Sequence, residues 1–387
     1  MIIGVPKEIL PEEKRVAVIP ETVAKYSTMG FDVVVESGAG LGISISDEQY
    51  AGAGAAIAAR AEEVYARSDV ILKVKQPYFN ENAGKHEVEM IREGSTLITF
   101  LHPAAPGNHD LVRALCRKMV TAFTMDGIPR ISRAQKMDAL TSMSTVTGYK
   151  SVLIAANNMQ KFVPMIGTAI GTIKPAVFLI VGTGVVGLQA IATAKRLGAI
   201  VKAVDIREEA KKEAMSLGAK VVGFDVPQEL AHGEGGYANA LPAEWVARER
   251  EALHPHVQEA DVIILSALVP GEVAPILITG TMLQQMNPGA VIMDISIDQG
   301  GNCEVTEAGK NIARNNVLIC GIPNIPGRMA IHASFLYANN LYFYVENLFK
   351  KGLAAFDLED EIVRHSLVTC RGEIVFKGAL KAMGTQK

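Results

Sequence analysis

Cysteine is scarce. The 387-residue chain has four, Cys116, Cys303, Cys320 and Cys370, far apart and without metal-ligand spacing. A disulfide framework is therefore not expected, and a reducing compartment fits. An excess of one charge is also missing. The net charge is −3 with 20% charged residues, which leaves neither a basic field for nucleic acid nor an acidic disordered tail. No apolar run approaches the roughly 18–20 residues of a membrane helix. The longest, AVFLIVGTGVVG and AVIMDISI, are short, glycine-broken or charged. The opening MIIGVPKEIL lacks the charged-then-apolar layout of a secretory signal. Low-complexity tracts and short repeats are absent. His254–His256 has no cysteine or carboxylate pattern around it, so it reads as a surface loop and no metal site is expected. The chain reads as soluble and cytoplasmic.

What is present is length and apolar content. The chain is too long for one ordinary core, and 49% of it is hydrophobic, so two domains are expected. Strand and helix patterns alternate almost throughout. Strands are predicted at 2–5, 32–36, 70–74, 96–100, 176–181, 200–204, 261–265, 290–294 and 317–320. Helices are predicted at 20–29, 109–117 and 185–197, with a linking helix within 137–162 and another at 334–349. The strands are continuous apolar runs rather than alternating ones, which indicates parallel sheets covered on both faces. The expected fold is α/β: two doubly wound parallel-sheet domains separated by a cleft, the default ligand site. One domain spans 1–143 plus 331–387, because the terminal HSLVTCRGEIVFKGAL reads as a hairpin needing a host. The other spans 144–330.

The most informative stretch is AVFLIVGTGVVGLQAIATAKRLGAIVKAVDIR. A strand leads into Gly182-x-Gly184-x-x-Gly187 and a helix follows, the Rossmann-like dinucleotide fingerprint. Gly182 permits the tight turn, Gly184 lets the backbone approach a pyrophosphate, and Gly187 lets helix and strand pack closely. Thr183, Val185 and Val186 complete the turn, and the helix N-terminus offers N–H groups to the phosphates. Asp205 ends the next strand, where its carboxylate would accept hydrogen bonds from ribose hydroxyls and repel a 2′-phosphate. NAD(H) is therefore favoured over NADP(H). Ile206 and Arg207 follow, and Arg207 is near enough to blur that preference or to stack on the adenine edge. Ser266, Ala267 and Leu268 follow another strand of the same sheet and are candidates for the nicotinamide half. An ordinary strand-to-helix turn is the alternative for them.

These motifs resemble the alanine dehydrogenase and nicotinamide nucleotide transhydrogenase superfamily over essentially the whole chain. PKEILPEEKRVAVIPE, ESGAGLGISISDEQY and the fingerprint occur in both branches. PRISRAQKMDALTSMSTVTGYKSV, GLQAIATAKRLGA, GEGGYA and GGNCEVTE look like the NAD(H)-binding α subunit of proton-translocating transhydrogenase. The resemblance implies that Arg130, Ile131, Ser132, Gln135, Asp138 and Ser142 hold the nicotinamide, and that Gly236 belongs to the cofactor site. Gln135 offers an amide, and Arg130 can pair with a phosphate or with Asp138. Read from the residues alone, the same loop is a helix N-cap at Ser132 with solvated charges. The resemblance further implies a homodimer, NADP(H) held only by a partner subunit, and a membrane-embedded subunit that would make the chain peripheral to the inner membrane. Hydride then passes directly between two nicotinamides.

Three residues, beside an arginine that both branches share, point another way. Alanine dehydrogenases carry an early arginine, a lysine in a K-V-K strand, a histidine after a later strand and an aspartate before a glycine pair. The matching positions here are Arg15, Lys75, His102 and Asp298. Arginine and lysine would neutralise the carboxylate and carbonyl of a 2-oxo acid, and histidine would exchange protons. The alternative function is thus an NAD-dependent amino-acid dehydrogenase acting on a 2-oxo acid or amino acid. Snorkelling by Lys75, a cap or backbone bond at His102, and a turn at Asp298 are the structural readings. Arg328 and His332 lie in a late polar stretch with open roles.

Overall fold

VFLIV and the VIL that opens VILKVK, apolar at successive positions, belong to strands Val177–Val181 and Val70–Lys75, which are buried on both faces. The computed structural model describes residues 1–233, 238–269, 273–352 and 356–384. Two units emerge, Met1–Met143 with Pro326–Lys387, and Ser144–Ile325. Each is an α/β layer structure around one large sheet.

The sheet of the first unit runs in the order Glu373–Ile374, Leu367–Cys370, Thr121–Thr124, Thr96–Phe100, Val70–Lys75, Ile2–Val5, Asp32–Glu36, Ala56–Ala58. The six N-terminal strands are parallel, and the C-terminal hairpin joins the edge antiparallel. The parallel register slips between Leu72 and Lys75, an irregularity that frees backbone groups beside Lys75.

The second sheet runs Lys220–Val221, Ile200–Val204, Val177–Val181, Val262–Leu265, Val291–Asp294, Val317–Cys320, Asn311–Arg314, with only the last strand antiparallel. Successive residues of Val177–Val181 serve opposite faces. Phe178 and Ile180 pack with Ala190, Ile191 and Ala194 of the Val185–Arg196 helix, while Leu179 and Val181 pack with Leu253 and Val257 of the Ala243–Glu259 helix. The strand order reverses beside Val177–Val181, and crevices at such switch points receive ligands beyond the strand C-termini.

Two expectations change. His254–His256 is not a surface loop but part of the Ala243–Glu259 helix, with Pro255 inside it. Burial of Leu253 and Val257 on the core-facing side carries the helix through the proline, outweighing one lost backbone bond. The linking helix is shorter than predicted, Ala139–Asn158.

Candidate functional site

The second unit carries the glycine turn. Gly182 has φ +86, and a Cβ there would come within 2.7 Å of the Ser266 carbonyl group. A Cβ on Gly187 would lie 2.0 Å from the Gly182 carbonyl oxygen. Both positions therefore require glycine for the chain's own packing. Gly184 does not, since no protein atom lies within 4 Å of a Cβ built there.

A cavity of about 390 Å³ opens beside this turn. Gly182, Gly184, Asp205, Ile206, Arg207, Ser266, Ala267 and Leu268 line it, together with Asn239, Leu241, Val246, Glu249, Arg250 and Ile276. Its walls are largely aliphatic with a few polar groups, a lining suited to flat rings and a small number of directed hydrogen bonds. The Val185–Arg196 helix begins at the cavity wall, and a helix N-terminus is a natural place for phosphate. Thr183, Val185, Val186 and Gly187 are not among the lining residues. Thr183 is buried, and its N–H and Oγ1 donate to Asp205 Oδ2 at 2.8 and 3.2 Å. Gly236 lies outside the described residues.

Asp205 is more heavily engaged than the motif alone suggests. Arg207 donates to it from the backbone at 2.9 Å, from Nε at 3.0 Å and from Nη2 at 2.8 Å. Burial opposes the carboxylate charge, but the Arg207 guanidinium and the surrounding N–H groups prevail and hold Asp205 below the usual range. Arg207 is thus the partner of Asp205 and also lines the cavity.

The 266–269 loop is set by a residue that sequence reasoning passed over. Asn302, fully buried in GGNC, donates from Nδ2 to the Ala267 carbonyl at 2.9 Å and to the Pro275 carbonyl at 2.8 Å, and its Oδ1 accepts from the Ala267 N–H at 3.1 Å. Asp294 in turn takes the N–H groups of Ser296, Asn302 and Cys303. Asp298 is exposed on the Ile295–Gln299 turn, ahead of Gly300 and Gly301 at positive φ.

The remaining candidates belong to the first unit. Arg130, Ser132 and Gln135 are exposed, and Ser132–Met137 is a 3-10 turn. Arg133 forks onto Asp360 with two bonds of 2.9 Å, and Asn340 donates to the Lys136 carbonyl at 2.8 Å, so the turn is tied to the C-terminal segment. Ser132 is not a cap; Ile131 occupies that position and makes no side-chain cap bond. Asp138 accepts from the N–H and Oγ1 of Thr141 at 2.8 and 2.7 Å, capping the Ala139–Asn158 helix. Ile131 and Ser142 flank this segment.

Strands Ile2–Val5, Val70–Lys75, Thr96–Phe100 and Thr121–Thr124 are parallel neighbours, so Glu8, Lys75, His102 and Asp126 emerge along one sheet edge. Lys73 is fully buried and bonds Glu87 at 2.9 Å, with Glu8 at 3.6 Å. Two carboxylates share one ammonium there. Burial pushes Glu8 up to about 7 against the pull of Lys73. Glu8 accepts from the N–H groups of Val74 at 2.6 Å and Lys75 at 3.4 Å, at the register slip. Arg15 is buried in a two-point pair with Glu13 at 2.8 and 2.6 Å. His102 adopts φ +45, stacks on Phe100 and faces Asp126, Nδ1 to Oδ2 3.4 Å. Burial is the largest single influence and raises Asp126, but the facing His102, the Thr124 hydroxyl and a backbone N–H together outweigh it, so its carboxyl sits below the ordinary range. Arg328 pairs with Glu12 at 2.8 Å, and His332 is exposed.

Residues 4–147 match the family described as alanine dehydrogenase/PNT, N-terminal domain, and residues 151–377 match its C-terminal domain. The chain belongs to the alanine dehydrogenase/PNT family. Within it, the chain is 43% identical to an NAD(P) transhydrogenase subunit alpha chain of Rhodospirillum rubrum, over 97% of this chain and 98% of that one. It is 32% identical to an alanine dehydrogenase of Methanococcus maripaludis, over 99% and 96%. Its fold is similar to that of the crystal structure of transhydrogenase from Sinorhizobium meliloti, with TM-score 0.85, 39% identity, and coverage of 97% of this chain and 100% of that one. The transhydrogenase branch of the alanine dehydrogenase/PNT family is thus the more similar on sequence.

Proposed function

We propose that this chain is an NAD-dependent oxidoreductase, the NAD(H)-binding α subunit of a proton-translocating NAD(P) transhydrogenase. The carrying observation is the glycine turn and the loop of Ser266–Leu268 gathered about one cavity, in a chain 43% identical to a transhydrogenase α subunit across nearly its full length. The bound nicotinamide supplies the hydride. The chain's own residues bind and orient: Gly182 and Gly184 leave room for backbone approach, Asp205 takes the ribose side, and the Asn302-braced loop holds Ser266–Leu268 against the cavity. Arg130, Ile131, Ser132, Gln135, Asp138 and Ser142 are assigned to the nicotinamide end.

NADP(H) belongs to a partner subunit, and a further membrane-embedded subunit carries the protons. Among the described residues no helix is long and apolar enough to cross a membrane. The chain is assigned to the cytoplasm, seated on such partners. A homodimer is supported by the antiparallel pair Ile166–Thr168 and Gly171–Ile173, where Met165, Ile170 and Ile173 are exposed apolar residues.

A second reading, reductive amination of a 2-oxo acid, draws on Lys75 and the His102–Asp126 pair at one sheet edge. One assay separates the two. NADH binding is measured on the purified chain, then NADH oxidation with ammonia and pyruvate, then with an NADP-binding transhydrogenase subunit. Hydride exchange only in the last case is expected. Pyruvate-dependent turnover by the chain alone would overturn the transhydrogenase reading as the main function.

A further inference from the structure

We infer that Glu249 makes the cavity selective for a dinucleotide that lacks a 2′-phosphate. The inference rests on reading the cavity as the NAD(H) site. Asp205, the acid of the fingerprint, is neutralised by Arg207 across three hydrogen bonds. A carboxylate paired in this way repels a phosphate weakly, and a guanidinium is itself a good phosphate ligand. The discriminating charge must come from elsewhere.

Glu249 stands on the core-facing side of the Ala243–Glu259 helix, in line with Leu253 and Val257, and is 6% exposed. It lines the same cavity as Asp205. Among the described residues its carboxyl has no hydrogen-bond or ion-pair partner. A carboxyl so largely buried is costly to ionise, and an otherwise apolar helix face has no packing use for one. Among the described residues the other charged groups on the cavity wall are Asp205 and Arg207 at the end of one strand and Arg250 beside Glu249. The lining residues of segments 238–241, 266–269 and 273–277 bring no charge. With Glu249 ionised the four groups cancel. Without it the wall is positive and would welcome a phosphate carrying about two negative charges.

The carboxyl has one route of escape. Burial and the charge of Asp205 push Glu249 up to about 7, against Arg250. At neutral pH it can take a proton and tolerate a phosphate, whereas above that the cost of protonation grows about tenfold per pH unit. Discrimination should therefore sharpen with alkali.

The test compares NADH and NADPH dissociation constants on the whole chain, by nicotinamide fluorescence, at about pH 7.5 and about pH 9. The 2′-phosphate, with a second pKa near about 6, is already ionised across that interval. The NADPH-to-NADH ratio should rise about 25-fold in the wild type and stay flat in Glu249→Gln, whose ratio at the higher pH should be about a hundredfold lower. A flat wild-type ratio overturns the inference, as does an identical ratio in wild type and variant at the higher pH. The wild-type profile decides alone if the variant does not fold. Failure of NADH to bind the wild type at either pH would overturn the reading of the cavity itself, whereas tight NADH with a flat ratio overturns only the role of Glu249.

Discussion

The two units present the carboxyl ends of parallel strands in opposite ways. In the Ser144–Ile325 unit the edge is made mostly of glycine, short loops and aliphatic side chains beside the Asp205–Arg207 pair, and the result is a cavity of about 390 Å³. In the other unit the edge is crowded with charge that is already partnered: Arg15 with Glu13, Lys73 with Glu87 and Glu8, His102 with Asp126. The same architecture thus yields one edge shaped to receive a large ligand and one organised by internal ion pairs. Fold alone does not separate them; the residues at the strand ends do.

The most damaging way to break this contrast is to close the cavity at its turn. Gly187→Ala places a methyl group 2.0 Å from the Gly182 carbonyl oxygen. It should abolish detectable NADH binding and cost about 2–4 kcal/mol of stability, read by fluorescence titration and urea unfolding.

Next is the charged edge. Lys73→Met leaves Glu8 and Glu87 without their shared cation in a buried site. A loss of about 3–5 kcal/mol is expected in chemical denaturation, larger at alkaline than at acid pH. An unchanged midpoint would show that the cluster is not what holds this edge.

A smaller effect links both units. Glu8 and Glu249 are each raised from 4.5 to about 7, chiefly by burial. Each binds its proton more tightly folded than unfolded. The stability it contributes is therefore complete below about pH 4.5 and lost as pH rises through about 7, by at most about 3 kcal/mol per group. Carboxylates held low, Asp205 and Asp126 among them, act in a different window, losing their contribution only as pH falls below the usual carboxylate range. The difference in melting curves between wild type and Glu249→Gln should isolate the slope due to Glu249.

The mildest change sharpens the functional contrast. Lys75→Ala should leave NADH affinity and hydride exchange with an NADP-binding partner within about twofold of wild type. Lys75 is half-buried at the end of its strand, and its backbone N–H is held by Glu8. A variant that loses exchange would move Lys75 from the charged edge into the hydride-transfer machinery.

Much of the frame is legible in the amino-acid order. Apolar runs with helices between them specify parallel sheets, because a strand buried on both faces has no use for alternation. The glycine spacing is only partly legible in the same way: Gly187 answers to the Gly182 carbonyl five residues away, whereas Gly182 is closed in by the Ser266 carbonyl group of a distant strand end. The His254–His256 segment misleads, since the proline argues locally for a loop while the burial of Leu253 and Val257 is a tertiary matter. Asn302 and Glu249 carry no local signal. Each is one polar residue in its segment, and its meaning depends on what the fold sets beside it.

The sequence by itself determined the alternating elements, the glycine turn and the residue types that reach the strand ends, all properties of near neighbours and of hydrophobic period. Tertiary structure alone decided which charges cancel. Whether Asp205 is met by Arg207, whether Lys73 is shared by Glu8 and Glu87, and whether Glu249 faces the cavity without a partner depend on distances between side chains that long-range packing brings together. Electrostatic energy changes steeply over those few ångströms and leaves no trace in residue order.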